Sequence, residues 1–127
     1  MKTKLYISIP ITGYDYAEQK RKAKLAKEYF MEFHNYEVIT PFELCPPTED
    51  YNIAMGYDIA GLLTCNMIFL MGNWTMSKGC RAEQAIANIY GIKQMTEEEY
   101  TASHGISFEQ LATNFLNSTC RHRICFR

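Results

Sequence analysis

Hydrophobic and polar positions alternate along this chain in blocks that change period several times. Residues 5–9, Leu-Tyr-Ile-Ser-Ile, form a β-rich run that stops at Pro10 and a Thr12-Gly13 turn, which predicts a buried strand. Asp15 then suits the N-cap of a helix over residues 16–34, whose apolar positions Ala23, Ala26, Phe30 and Phe33 recur at intervals of three and four. Lys20, Arg21, Lys22, Lys24 and Lys27 crowd the other face, the pattern of a solvated helix surface. A short strand over 36–40 ends at Pro41, and residues 41–50 read as a loop long enough to be functional. Helical spacing returns over 53–64. The continuous apolar run 67–71 is the pattern of a central parallel strand covered on both faces. A glycine-flanked loop over 72–79 leads into a helix over 80–90, closed by Gly91, and 92–95 is a last strand. Thr96-x-x-Glu99 and Ser107-x-x-Gln110 look like capping boxes opening two short C-terminal helices.

Strands alternating with helices predict one α/β domain: a parallel sheet of four to five strands with helices on both faces. Residues 1–95 form the expected core, and 96–127 a helical extension and tail of the same domain. Ligands of such folds bind outside the carboxyl ends of the strands, at a topological switch point. That selects the loops 10–15, 41–50 and 72–79.

Composition narrows the partners. With 127 residues, 47% of them apolar, the chain suffices for one core, and 13 basic against 14 acidic residues give a net charge of -1. Such a balance argues against a nucleic-acid polymer as partner and against disorder. No segment nears the roughly 18 apolar residues of a membrane helix, and residues 5–11 are too short and polar for a signal peptide. Five cysteines with no Cys-x-x-Cys pair suggest reduced thiols and a cytoplasmic protein. Cys120, His122 and Cys125 lie close in sequence but lack a fourth ligand and zinc spacing, so a basic tail is the simpler reading.

The strongest chemical signal is Ser77-Lys78-Gly79-Cys80-Arg81-Ala82-Glu83, running from the third loop into a helix. Ser77 can cap that helix, Gly79 permits close backbone approach, and the free N–H groups of the first turn make an anion site. Glu83, about one turn in, is either a surface carboxylate favoured by the helix dipole or an ionised group beside a strand-end pocket. Asp58 sits in an otherwise apolar helix, as an exposed polar position or a second site carboxylate. Tyr6 is simplest as a core aromatic whose hydroxyl wants a partner. Trp74 is a stacking residue or a packing anchor. His34, His104 and His122 fall outside the selected loops, and neither a Walker loop nor a GxGxxG is present.

Taken together, Tyr6-Ile-Ser-Ile-Pro-Ile-Thr-Gly13, Met55-Gly-Tyr-Asp58 eight residues before Asn66, and Asn73-Trp74-x-x-Ser77-x-Gly79-x-x-x-Glu83 resemble the nucleoside 2-deoxyribosyltransferase-like superfamily over about residues 4–95. Among characterised relatives the chain is similar to the deoxyribosyltransferases and to the 2′-deoxynucleoside 5′-monophosphate N-hydrolases. The resemblance implies a flavodoxin-like, Rossmann-like three-layer sandwich that cleaves the bond between a base and 2-deoxyribose. By analogy Glu83 attacks the anomeric carbon, Asp58 handles the proton of the base, and Tyr6 orients Glu83. Ser8, Thr12, Gly13, Trp74, Ser77 and Gly79 are then substrate-binding, with Ser77 and Gly79 on any 5′-phosphate. The partner implied is a small nucleoside or nucleotide, without cofactor, metal or membrane, in a homo-oligomer. Three positions depart from the pattern: many relatives carry Asp at Asn66 and Gly at Ile9, and the nucleotide hydrolases carry Arg at Thr12. A nucleotide-binding module with little or no catalysis is the alternative.

Overall fold

The structure, a computed structural model, describes residues 2–46 and 50–125, with side chains up to 118. The Cys120, His122 and Cys125 side chains, like residues 47–49 of the second loop, lie outside the described residues. Four strands, β1 (Lys4–Ser8), β2 (Glu37–Ile39), β3 (Met67–Leu70) and β4 (Lys93–Thr96), form one parallel sheet in the order β2-β1-β3-β4. The chain leaves β1 to one side to make β2, then crosses back over β1 to make β3. The switch point therefore lies between the carboxyl ends of β1 and β3.

Local signals set most helix boundaries. Asp15 accepts a hydrogen bond from the Glu18 N–H at 3.1 Å and opens α1 (Tyr16–His34). Asn35 closes α1 in the left-handed conformation, a state tolerated by Asn. Within the expected loop 41–50 a short helix α2 (Pro41–Leu44) forms, with Pro41 at its first position and the Thr40 N–H donating to Glu43 Oε1 at 3.0 Å. Asp50 caps α3 (Tyr51–Leu62) by accepting from the Ile53 N–H, so this helix begins two residues before the expected start. A 3-10 turn (Trp74–Met76) precedes α4 (Lys78–Ile89), which Ser77 caps from Cys80 N–H at 3.2 Å. Gly91 turns the chain with φ of +70° into β4.

The expected box at Thr96 and Glu99 is present in both directions and opens α5 (Glu97–His104). Ser107 accepts from the Gln110 N–H at the start of α6 (Phe108–Cys125). This last helix spans 18 residues and is not the short one expected. It is long because it lies along α1, where Phe108 and Ala112 join the buried cluster of Tyr29, Phe30 and Phe69.

Two cores follow from the two-residue period of β1. Leu5, Ile7 and Ile9 face α1, α5 and α6, together with Val38 and Phe69. Tyr6 faces α3 and α4, with Ile68, Leu70, Leu62 and Ala87. The result is a three-layer, flavodoxin-like sandwich. Phe33, expected on the buried stripe of α1, is 53% exposed and leans on Tyr29 and Phe115 at the edge of the aromatic cluster. Of the lysine-rich face, Lys20 and Lys24 are exposed, while Arg21 pairs with Glu18 and Lys27 with Glu43. No helix among the described residues is long and apolar enough to cross a membrane.

Candidate functional site

Glu83 occupies the inward stripe of α4, on the same face as Cys80 and Ala87, where an apolar side chain would ordinarily sit. It is only 4% exposed, which settles against a surface carboxylate. Buried charge requires partners, and β1 supplies two. The Tyr6 hydroxyl donates to Glu83 Oε2 at 2.6 Å, and the Ser8 hydroxyl donates to Oε1 at 2.6 Å. Tyr6 and Ser8 are alternate residues of one strand, so both point to the α4 side. Tyr6 is thus both the core aromatic and the partner of Glu83. Ser8, expected against the substrate, is fully buried and turned to the carboxylate instead.

Asp58 lies on the inward stripe of α3 with Gly61 and Leu62, and is 8% exposed. Its Oδ1 is buried and has no hydrogen-bond partner. Electrostatics follow from this burial. Desolvation pushes the Asp58 carboxyl up to about 6. The Glu83 carboxyl is pushed up to about 7, chiefly by burial and further by the nearby Asp58 charge, against the lowering effect of the Ser8 and Tyr6 hydrogen bonds. Burial and the Glu83 charge hold the Tyr6 phenol well above its ordinary value, so it stays a donor.

Both carboxyls face a cavity of about 450 Å³ at the switch point. All three selected loops contribute: Ile11, Thr12 and Tyr14 from the first, Pro41 from the second, and Ser77, Lys78 and Gly79 around the start of α4. Gly13, with φ of +84°, and Trp74 are not among the lining residues. Gly13 turns the chain between Thr12 and Tyr14, while Trp74 packs against the second core. Tyr14, Tyr51 and Cys80, to which the sequence assigned no role, line the cavity too, as do Ala54, Met55 and Met76. For Tyr51 a signal existed: it follows the capping Asp50, as the first residue of a helix that already carries Asp58. Gly79 keeps this wall open: a Cβ would sit 3.3 Å from the Tyr51 hydroxyl and 3.4 Å from the Met55 sulfur, so the Tyr51 side chain would have to give by a few tenths of an ångström. The Lys78 ammonium lies 5.8 Å from the centre of the Tyr51 ring.

Of the three departures, Ile9 is buried in the cavity wall and Thr12 lines it. Asn66 is remote: it lies just before β3, where its Oδ1 accepts from the Lys4 N–H at the amino end of β1. The arrangement offers a clamped carboxylate, a second carboxyl with free acceptor capacity, and a cationic side chain and a helix N-terminus lining the same cavity.

Comparison with solved structures places this fold among known ones. The conserved protein from Enterococcus faecalis V583 superposes with a TM-score of 0.61 at 18% identity, over 76% of this chain and 63% of that one. The present chain therefore spans a little under two thirds of that protein's length. The 2-deoxyribosyltransferase from Bacillus psychrosaccharolyticus superposes with a TM-score of 0.58 at 19% identity, over 74% of this chain and 71% of that one. At these identities the likeness is one of fold. No curated protein matches the sequence. The family model described as Domain of unknown function (DUF4406) matches residues 3–96, and the chain belongs to that family.

Proposed function

We propose that this protein cleaves or transfers the N-glycosidic bond of a 2′-deoxynucleoside or its 5′-monophosphate. The observation that carries the proposal is the buried Glu83 carboxylate, held by Tyr6 and Ser8 at a cavity shared with Asp58. In the proposed reaction a Glu83 oxygen bonds to C1′ as the C1′–N bond breaks. The electron pair of that bond leaves with the base, which takes a proton from Asp58. Water or a second base then attacks C1′, its proton returns to Asp58, and the Glu83 carboxylate is released. An oxocarbenium-like transition state calls for an ionised carboxylate near the sugar and a proton donor near the leaving group. Ser77 and Gly79 at the start of α4 suit a 5′-phosphate, with Thr12 lining the same cavity. In this reading Gly13 and Trp74 act through the shape of their loops.

Purified protein incubated with a panel of deoxynucleosides and monophosphates, with and without an acceptor base, tests the proposal. Base release or exchange well above a Glu83→Ala control is expected, and none above that control refutes it. Release without exchange selects a hydrolase. The second reading, a nucleotide-binding module, draws on Ile9 filling the wall where many relatives of the resembled superfamily carry Gly. It expects thermal stabilisation by a nucleotide with no turnover.

A further inference from the structure

Ser8 has no surface of its own: it is fully buried, and its backbone pairs with β3, where its carbonyl accepts from the Met71 N–H at 2.8 Å. A buried hydroxyl without a partner destabilises a fold, and this one spends its single proton on Glu83 Oε1. In the ionised form the carboxylate has no proton to give, so there the hydroxyl is the donor. Tyr6 alone would fix one oxygen and leave the carboxylate plane free to turn about it. We propose that Ser8 is a positioning residue: with Tyr6 it grips both oxygens of Glu83 from β1, fixing the carboxylate plane and favouring the ionised form. That the gripped carboxylate attacks a sugar rests on the function proposed above; the grip itself does not.

The grip is tested on protein labelled with ¹³C-glutamate, following the Glu83 carboxyl signal, identified by its loss in Glu83→Gln, against pH. In Ser8→Ala the midpoint rises by about one to two pH units, the size expected when a charge-assisted hydrogen bond to a buried carboxylate is lost. Ser8→Cys, which keeps a side-chain atom there but only a weak donor, raises it too, and Ser8→Thr returns it toward wild type. Base release at pH 7 falls about tenfold in Ser8→Ala with KM little changed, and recovers in Ser8→Thr. A midpoint within about 0.3 pH unit of wild type in both Ser8→Ala and Ser8→Cys overturns the inference. A shifted midpoint without base release from any variant keeps the role of Ser8 and refutes the glycosidic reading. Base release with an unmoved midpoint does the reverse.

Discussion

Replacing Glu83 by Gln removes a titrating group while nearly keeping its shape, and the structure says what this does to stability. The folded carboxyl titrates near 7, against an ordinary value of 4.5. A group whose folded value is raised favours folding fully below its unfolded value, and loses that contribution as pH rises through the folded one. The interval from 4.5 to about 7, at about 1.4 kcal/mol per tenfold in proton affinity, corresponds to about 3 kcal/mol. Glu83 is 4% exposed, so solvent screening takes little from that figure. The neutral amide carries no such loss. Glu83→Gln is therefore expected to gain about 3 kcal/mol over wild type between pH 4.5 and 8, on top of any pH-independent difference from rearranged hydrogen bonds. For a chain of this length that corresponds to a relative gain in Tm of roughly 10 °C. Thermal or urea melts of both proteins across this range read it directly. A difference between the two that stays constant from pH 4.5 to 8 refutes the reasoning, because Glu83 would then not be a desolvated carboxylate. The same substitution abolishes base release under the proposed function, so stability and activity move in opposite directions.

Tyr6→Phe removes the donor to Oε2 and is expected to raise the Glu83 carboxyl by about one to two pH units. With Asp58 near 6 and Glu83 near 7, most singly protonated molecules carry the proton on Glu83. Under the proposed function the productive form, protonated at Asp58 and ionised at Glu83, is the minor one, about a tenth, and kcat/KM is expected to be bell-shaped with limbs near those values. Tyr6→Phe then moves the alkaline limb upward and lowers the maximum about tenfold; an unmoved limb in the pH profile contradicts the assignment. Gly79→Ala puts a Cβ 3.3 Å from the Tyr51 hydroxyl, so it is expected to weaken nucleotide-induced thermal stabilisation. The unliganded Tm holds or rises, since Ala is better in a helix by up to about 1 kcal/mol. Phe30→Ala opens the α1 core at a fully buried position and is expected to cost about 3–5 kcal/mol in urea unfolding, without changing the pH dependence of stability set by Glu83.

Much of the framework was determined by the sequence itself, because the signals are local. Asp15, Ser77 and the Thr96–Glu99 pair accept from N–H groups three residues away, and Pro10 and Gly91 end what precedes them through their own backbone preferences. The alternation of β1 likewise assigns Tyr6 and Ser8 to one face before any fold is known. Tertiary structure decided what those faces meet. On spacing alone Glu83 and Asp58 read as surface carboxylates; both are buried because α3 and α4 cover the β1–β3 face of the sheet. Ser8 passed from a substrate contact to a partner of Glu83, and α6 extended because α1 offered it an aromatic surface. The Tyr6 and Ser8 bonds to Glu83 span 77 and 75 residues. A hydrogen bond or a desolvation depends on what lies across space, and that is set only when the sheet order and the helix crossings are in place.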